Sequence, residues 1–260
     1  CPMKTVNRLA IIILFSWEED KMAAIIVNLE CMTNMHVGNG DVNYNIIDNE
    51  VEKDPVTGYP TINASGVKGA LREFFNGDSE LRQYVSTLFG ADKAGDTTPG
   101  QLKVLCADMI ARAARASSGK QAYYLITTQT ALDKYCNNCE IFLGKPVVYE
   151  KKSADESEAA EGFRLEEKVE LNGKTLYILP EETFKKIELP VLARNKLDNG
   201  ISKNLWYEQV VPHESLFAFA VLGTEENLAI FKKAVDGKVV QFGGNASIGY
   251  GLCKVSVKEA

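Results

Sequence analysis

Four glycines fall within the nine residues that close Gln241-Phe-Gly-Gly-Asn-Ala-Ser-Ile-Gly-Tyr-Gly251. Glycine has no Cβ and tolerates positive φ, so such a run lets main-chain N–H groups turn together toward an anion. A second segment of this kind is His36-Val-Gly-Asn-Gly40. A third, Asn63-Ala-Ser-Gly-Val-Lys-Gly-Ala-Leu-Arg72, reads as a loop opening a helix. Lys68 and Arg72 are four residues apart there, on one helix face near an N-terminus that favours phosphate. The plainer readings are a hairpin turn for the glycines and a solvated face for the two cations. Taken together, three phosphate-friendly segments point to a nucleic-acid backbone. The chain has no Walker A pattern and no dinucleotide fingerprint, so nucleotide hydrolysis is not expected.

Cys136-Asn-Asn-Cys139 has zinc-knuckle spacing, but no second Cys or His pair comes after it. Both histidines, His36 and His213, lie elsewhere in the sequence. A structural reading of the pair is therefore preferred over a metal site. Cys31, Cys106 and Cys253 sit in apolar runs and are expected in the core, a usage that suits a reducing cytoplasm. His213, just after Pro212, also reads as structural.

Positioning these groups takes a sizeable domain, and 260 residues with 45% hydrophobic and 25% charged content suffice for one. The net charge of −6 argues against a general nucleic-acid coat. Residues 152–170 hold seven acidic and three basic side chains, and this stretch is expected to sit away from any binding groove. The apolar run Leu9–Ser16 behind Lys4 and Arg8 imitates a signal peptide, but Trp17-Glu-Glu-Asp-Lys21 comes next with no small-residue cleavage site. It is too short to span a bilayer. Residues 1–21 therefore read as an extension, 22–260 as the domain, and no membrane role is expected.

Along that domain the pattern predicts a strand over 22–33 and a helix over 66–76 capped by Ser65. A second helix over 79–89 is expected to stop at Gly90, a strand is expected at 101–109, and Ala122–Thr127 is a further apolar run. From about 135 to 188 the pattern loosens into short strands, an acidic linker and a hairpin at Leu171-Asn-Gly-Lys-Thr-Leu-Tyr-Ile178, together read as a projecting insertion. Strands near 189–195 and 216–222, a helix over 225–235, and strands at 238–243 and 248–257 complete the reading. Strand, helix, strand, strand, helix, strand is the ferredoxin-like, RRM-type order. The fold class is thus α+β, a modified ferredoxin-like palm with large insertions.

Ordered motifs carry a resemblance. His36-Val-Gly-Asn-Gly, Ile46-Ile-Asp-Asn-Glu-Val-Glu-Lys-Asp-Pro-Val-Thr-Gly-Tyr-Pro60, Ala64-Ser-Gly-Val-Lys-Gly-Ala-Leu-Arg72 and the closing Gly243–Gly251 segment resemble the CRISPR-associated RAMP proteins. Asn204-Leu-Trp-Tyr-Glu-Gln-Val-Val-Pro212 and Phe242-Gly-Gly-Asn are similar to the repeated backbone subunits of type III-B (Cmr) effector complexes. The resemblance runs from about Met22 to Ala260. It implies a palm with a thumb β-hairpin, placed here in the insertion at about 135–188. It also implies a filament of copies along a CRISPR guide RNA, beside other Cmr-type RAMP subunits, in the cytoplasm. Complementary target RNA would be cut by an endoribonuclease that depends on Mg²⁺ or Mn²⁺.

By the same resemblance, Asp48 is the catalytic and metal-holding aspartate, His36 the loop histidine, and Tyr207 and Glu208 a pair near the cut. Gly243, Gly244, Asn245 and Gly249, with Lys68, Arg72, Arg115 and Lys120, would contact RNA. One departure is the absence of the usual proline before the arginine in Ala113-Ala-Arg-Ala-Ser117. Read on its own, Asp48 is a turn aspartate bonding its own backbone, and His36 fixes a loop through a backbone hydrogen bond. A carboxylate with an ordinary pKa is a poor base near neutrality, so holding a metal against the scissile phosphate suits Asp48 better. His36, as an imidazole, could be a general acid. The alternatives are a type III-A backbone subunit, a non-cleaving scaffold, a metal-independent CRISPR RNA-processing nuclease centred on His36, and a small-ligand protein with structural glycine loops.

Overall fold

The computed structural model describes residues 22–38, 47–91, 98–198 and 201–260. The 1–21 extension, and the Gly40 and Ile46 ends of two quoted motifs, lie outside the described residues. Strands in the first half are β1 (Ala23–Cys31), β2 (Thr61–Ile62), β3 (Lys103–Val104), β4 (Ala107–Ser118) and β5 (Tyr123–Thr127). The middle holds β6 (Lys152–Ser153), β7 (Ala159–Ala160), β8 (Phe163–Arg164), β9 (Glu167–Leu171) and β10 (Lys174–Ile178). Last come β11 (Val191–Asp198), β12 (Ile201–Gln209), β13 (Leu216–Gly223), β14 (Val239–Gln241) and β15 (Leu252–Lys258).

β1 is central because it is apolar on both faces: Ile25, Val27 and Leu29 join one buried cluster and Ile26 another. It pairs antiparallel with β15 on one side and β13 on the other, and β13 pairs antiparallel with β4. The spatial order β15-β1-β13-β4 is the ferredoxin-like palm. Its two helices are Ala64–Gly77, between β1 and β4, and Glu225–Val235, between β13 and β15. Thr224 caps the latter by accepting from the Asn227 amide. Both helices cover one face with Val85–Phe89, and they meet at Phe75, whose ring lies 5.2 Å from Phe89 and 6.2 Å from Phe231. Gly90, at φ 90, ends the short helix where a stop was expected.

Several expectations need correction. A helix spans Gln129–Leu143, partly inside the stretch read as loosened strands. Thr128 caps it by accepting from the Ala131 amide, and Gly144 closes it at φ 64. Its buried face of Leu132, Tyr135, Cys139 and Leu143 covers the second side of the sheet, together with Ile26, Ile110 and Leu176. Cys136 and Cys139 are thus helix neighbours, and burial raises both thiols. Among the described residues no group of three metal-ligating side chains gathers, there or elsewhere. Cys31 and Cys253 are buried directly opposite each other, but Cys106 is exposed in the break between β3 and β4. Ser65 lies inside the first turn of its helix, with Asn63 at the cap position.

The expected hairpin does not stand apart from the sheet. β9 and β10 do form the expected Asn172-Gly173 hairpin, but β10 runs parallel to β5, so the pair extends the main sheet. A separate two-stranded sheet is made instead by β11 and β12, beyond residue 188. Apolar content decides the difference: Leu176, Tyr177 and Ile178 are all buried, whereas 202–205 are exposed.

Candidate nucleic-acid interface

The base of the β11–β12 hairpin, the His36 loop and the closing glycine loop converge on one spot. Segment 47–49 runs beside the end of β12. The Asp48 and Asn49 amides donate to Tyr207 O at 3.1 and 3.2 Å, and the Gln209 amide donates to Asn49 O at 2.9 Å. Asp48 is exposed, and its Oδ2 accepts from the Tyr207 amide at 2.7 Å. The carboxylate is therefore oriented by a strand far away in sequence, not by its own turn.

The segment from Glu52 to Tyr59 is held from both ends. The Glu52 amide donates to Val37 O at 2.7 Å. Asp54 Oδ1 accepts from Thr57 N at 2.8 Å, Thr57 Oγ1 at 2.9 Å and Val56 N at 3.1 Å. These bonds, the Thr57 amide foremost, hold the Asp54 carboxyl below its ordinary value. The Tyr59 hydroxyl shares a hydrogen bond with Thr128 Oγ1 at 2.8 Å and donates to Glu181; burial and that carboxylate push the phenol up to about 12.

His36 is only 8% exposed. Its Nδ1 lies 2.8 Å from Gln209 O; a carbonyl only accepts, so the proton is on Nδ1. Nε2 faces inward, 3.9 Å from Glu208 Oε1. Glu208 is 4% exposed, and Asn245 Nδ2 donates to its Oε1 at 2.7 Å. The closing loop is sewn to the His36 loop: Gly244 N donates to His36 O and Gly251 N to Asn34 O, both at 2.8 Å. A Cβ on Gly243 would sit 2.3 Å from His36 O, and one on Gly251 would sit 1.8 Å from Phe242 O. Here glycine is demanded by close approach to protein backbone. Gly249, at φ 80, donates to Ala246 O at 3.0 Å inside the loop's own short turn.

Seven of the sequence candidates thus meet: His36, Asp48, Tyr207, Glu208, Gly243, Gly244 and Asn245, with Gly249 in the same loop. The basic candidates do not join them. Arg72 Nη2 donates to Gly90 O at 3.1 Å, and Lys68 is half-buried on the same helix. Arg115 and Lys120 lie toward and beyond the far end of β4, where the acidic stretch packs rather than standing clear. β7 pairs with β4, the Arg115 amide donates to Glu161 Oε1 at 3.2 Å, and the Glu161 amide returns a bond to Arg115 O at 3.0 Å. Sequence reasoning gave Arg112 no role of its own. It is buried, donates to the carbonyls of Phe184, Ile187 and Glu188 at the end of helix Glu181–Lys186, and burial lowers its pKa to about 10.

A sequence profile described as the RAMP superfamily matches residues 28–254. The chain belongs to the RAMP superfamily. Among RAMP proteins it is 25% identical, over 296 aligned positions, to a CRISPR system Cmr endoribonuclease, Cmr4, of Pyrococcus furiosus; the alignment covers 92% of this chain and 97% of that one. The fold is similar to a chain of the type III-B Cmr-beta complex solved by cryo-EM with cognate target RNA, with a TM-score of 0.74, 21% identity, and coverage of 90% and 96%. It is also similar to the crystal structure of oligomeric Cmr4 from Pyrococcus furiosus, with a TM-score of 0.67, 20% identity, and coverage of 92% and 99%. Among the described residues no helix is long and apolar enough to cross a membrane.

Proposed function

We propose that this RAMP protein is the repeated, guide-binding backbone subunit of a type III-B CRISPR effector complex and that it cuts complementary RNA at Asp48. The observation that carries the reading is the Asp48 carboxylate. It stands exposed at the hairpin base, clamped to the Tyr207 main chain, where the hairpin, the His36 loop and the closing glycine loop are bonded together. The relative named as a Cmr endoribonuclease and the likeness to Cmr-beta with target RNA support it.

RNA carries its own nucleophile, the 2′-OH, so the protein's task is to align it with the leaving 5′-oxygen and to manage charge. Asp48 sits at the surface for this, whereas His36 and Glu208 are turned inward and support the loop rather than face a substrate. Mg²⁺ or Mn²⁺ is the implied cation. Asp48 is an exposed carboxylate with one oxygen on an amide and, among the described residues, belongs to no cluster of metal-ligating side chains, which fits a cation shared with substrate phosphate better than a cage made by protein alone. Such a cation, when bound, supplies charge neutralisation at the phosphate. The partners are a guide RNA, a target RNA, further Cmr subunits and other copies of this chain in a filament, in the cytoplasm.

Asp48→Ala, assembled with guide, is expected to lose cutting of labelled complementary RNA by at least about 100-fold while retaining guide RNA. Full cleavage by that variant removes Asp48 from the reaction.

A further inference from the structure

We propose that Arg194 is a positioning residue for this cut site, acting through Glu208 and the Tyr207 main chain; the inference rests on the reading of Asp48 above. A carboxylate as enclosed as Glu208 needs donors around it. Arg194, on the opposite strand β11, supplies the permanent cation: Nη1 donates to Glu208 Oε2 at 3.3 Å. Its guanidinium also lies 5.3 Å from the centroid of the Tyr250 ring and 6.0 Å from that of Trp206. A guanidinium thus touches β12 on either side of Tyr207, at Trp206 and Glu208, and reaches the glycine loop at Tyr250. The Glu208 side chain is shared further with Asn245 and, at 3.9 Å, with His36.

Tyr207 lies between these two fastened neighbours, and its amide is the donor that aims Asp48. Freeing the neighbours frees the amide, and the carboxylate loses its orientation without losing its chemistry. An ångström of misplacement is enough to slow a reaction about a hundredfold. Lysine keeps the charge but has neither the planar fork nor the aromatic stacking, so it should replace Arg194 only in part.

The test uses the complex assembled with guide RNA and compares wild type, Arg194→Gln, Arg194→Lys, Glu208→Gln, the Arg194→Gln/Glu208→Gln double variant and Asp48→Ala. Single-turnover cleavage at saturating target should fall roughly 10- to 100-fold in Arg194→Gln. Guide retention and target affinity should stay within about twofold, and Arg194→Lys should recover part of the rate. The double variant should be no slower than the worse single variant, because both act through one unit. Hydrogen exchange at the Tyr207 amide should rise by about tenfold or more in Arg194→Gln.

Wild-type cleavage and exchange in Arg194→Gln, with Asp48→Ala inactive, overturns the positioning role alone. A rate loss matched by an equal loss of target affinity also overturns it, since that marks a binding contact. If Asp48→Ala still cuts, the reading of the cut site fails instead, and the exchange measurement separately decides whether Arg194 holds the Tyr207 amide.

Discussion

Two hairpins succeed one another along this chain and are held in different ways. β9–β10 turns at Asn172 and Gly173, at φ 53 and 76, and is absorbed into the main sheet because β10 buries Leu176, Tyr177 and Ile178 in succession. β11–β12 exposes Ser202, Lys203, Asn204 and Leu205 and becomes buried only at Glu208 and Gln209. Apolar burial fastens the first; charge-assisted hydrogen bonds and ring contacts at the base fasten the second. A turn signal announces a hairpin, while its apolar content decides whether it docks. The candidate cut site lies beside the one that polar contacts hold, leaving an exposed surface next to Asp48.

The comparison is broken most directly by paired truncations. Leu176→Ala should cost about 2–5 kcal/mol of unfolding free energy, and Leu205→Ala should stay within about 0.5 kcal/mol, read from urea midpoints. Similar losses at both sites would erase the distinction. A smaller effect tests the turn of the docked hairpin. Gly173→Ala meets no atom within 4 Å, so only its positive φ matters. It should cost about 1 kcal/mol, lowering the melting temperature by roughly 2–4 °C.

The smallest effect concerns the turn at Asp54, six residues beyond Asp48. The Asp54 pKa is lower in the folded chain than its ordinary value of 3.8. Its contribution is therefore fully present above that value and is lost as pH falls through the folded pKa. Asp54→Asn should destabilise modestly at pH 7, and its gap from wild type should shrink in urea unfolding below about pH 4. A gap that widens with acid would contradict the assigned bonds.

Much of the fold is legible in the sequence, for identifiable reasons. β1, β13 and the helix Glu225–Val235 have strong periodicity or capping, and the palm emerges from their order. The helix Gln129–Leu143 escapes a sequence reading although Thr128, Gly144 and the Leu132-Tyr135-Cys139-Leu143 face announce it, because its second half falls in the stretch from about 135 read as loosening into short strands. The site is legible as a set of residues but not as a division of labour. Spacing cannot reveal that Glu208 and His36 face inward, that glycine amides are used by the protein itself, or that Arg194 closes the cluster. Nor does a charge count show that Glu161 lies against Arg115 and that Arg112 is buried beneath a helix end. Those facts belong to long-range packing, which sequence-local patterns do not encode.

The Asp48 carboxylate is steered by an amide hydrogen, and nineteen of the twenty ordinary amino acids own one. The phenol at position 207 is thus open to drift among related chains without disturbing this contact. Only an imino acid there would silence the steering outright.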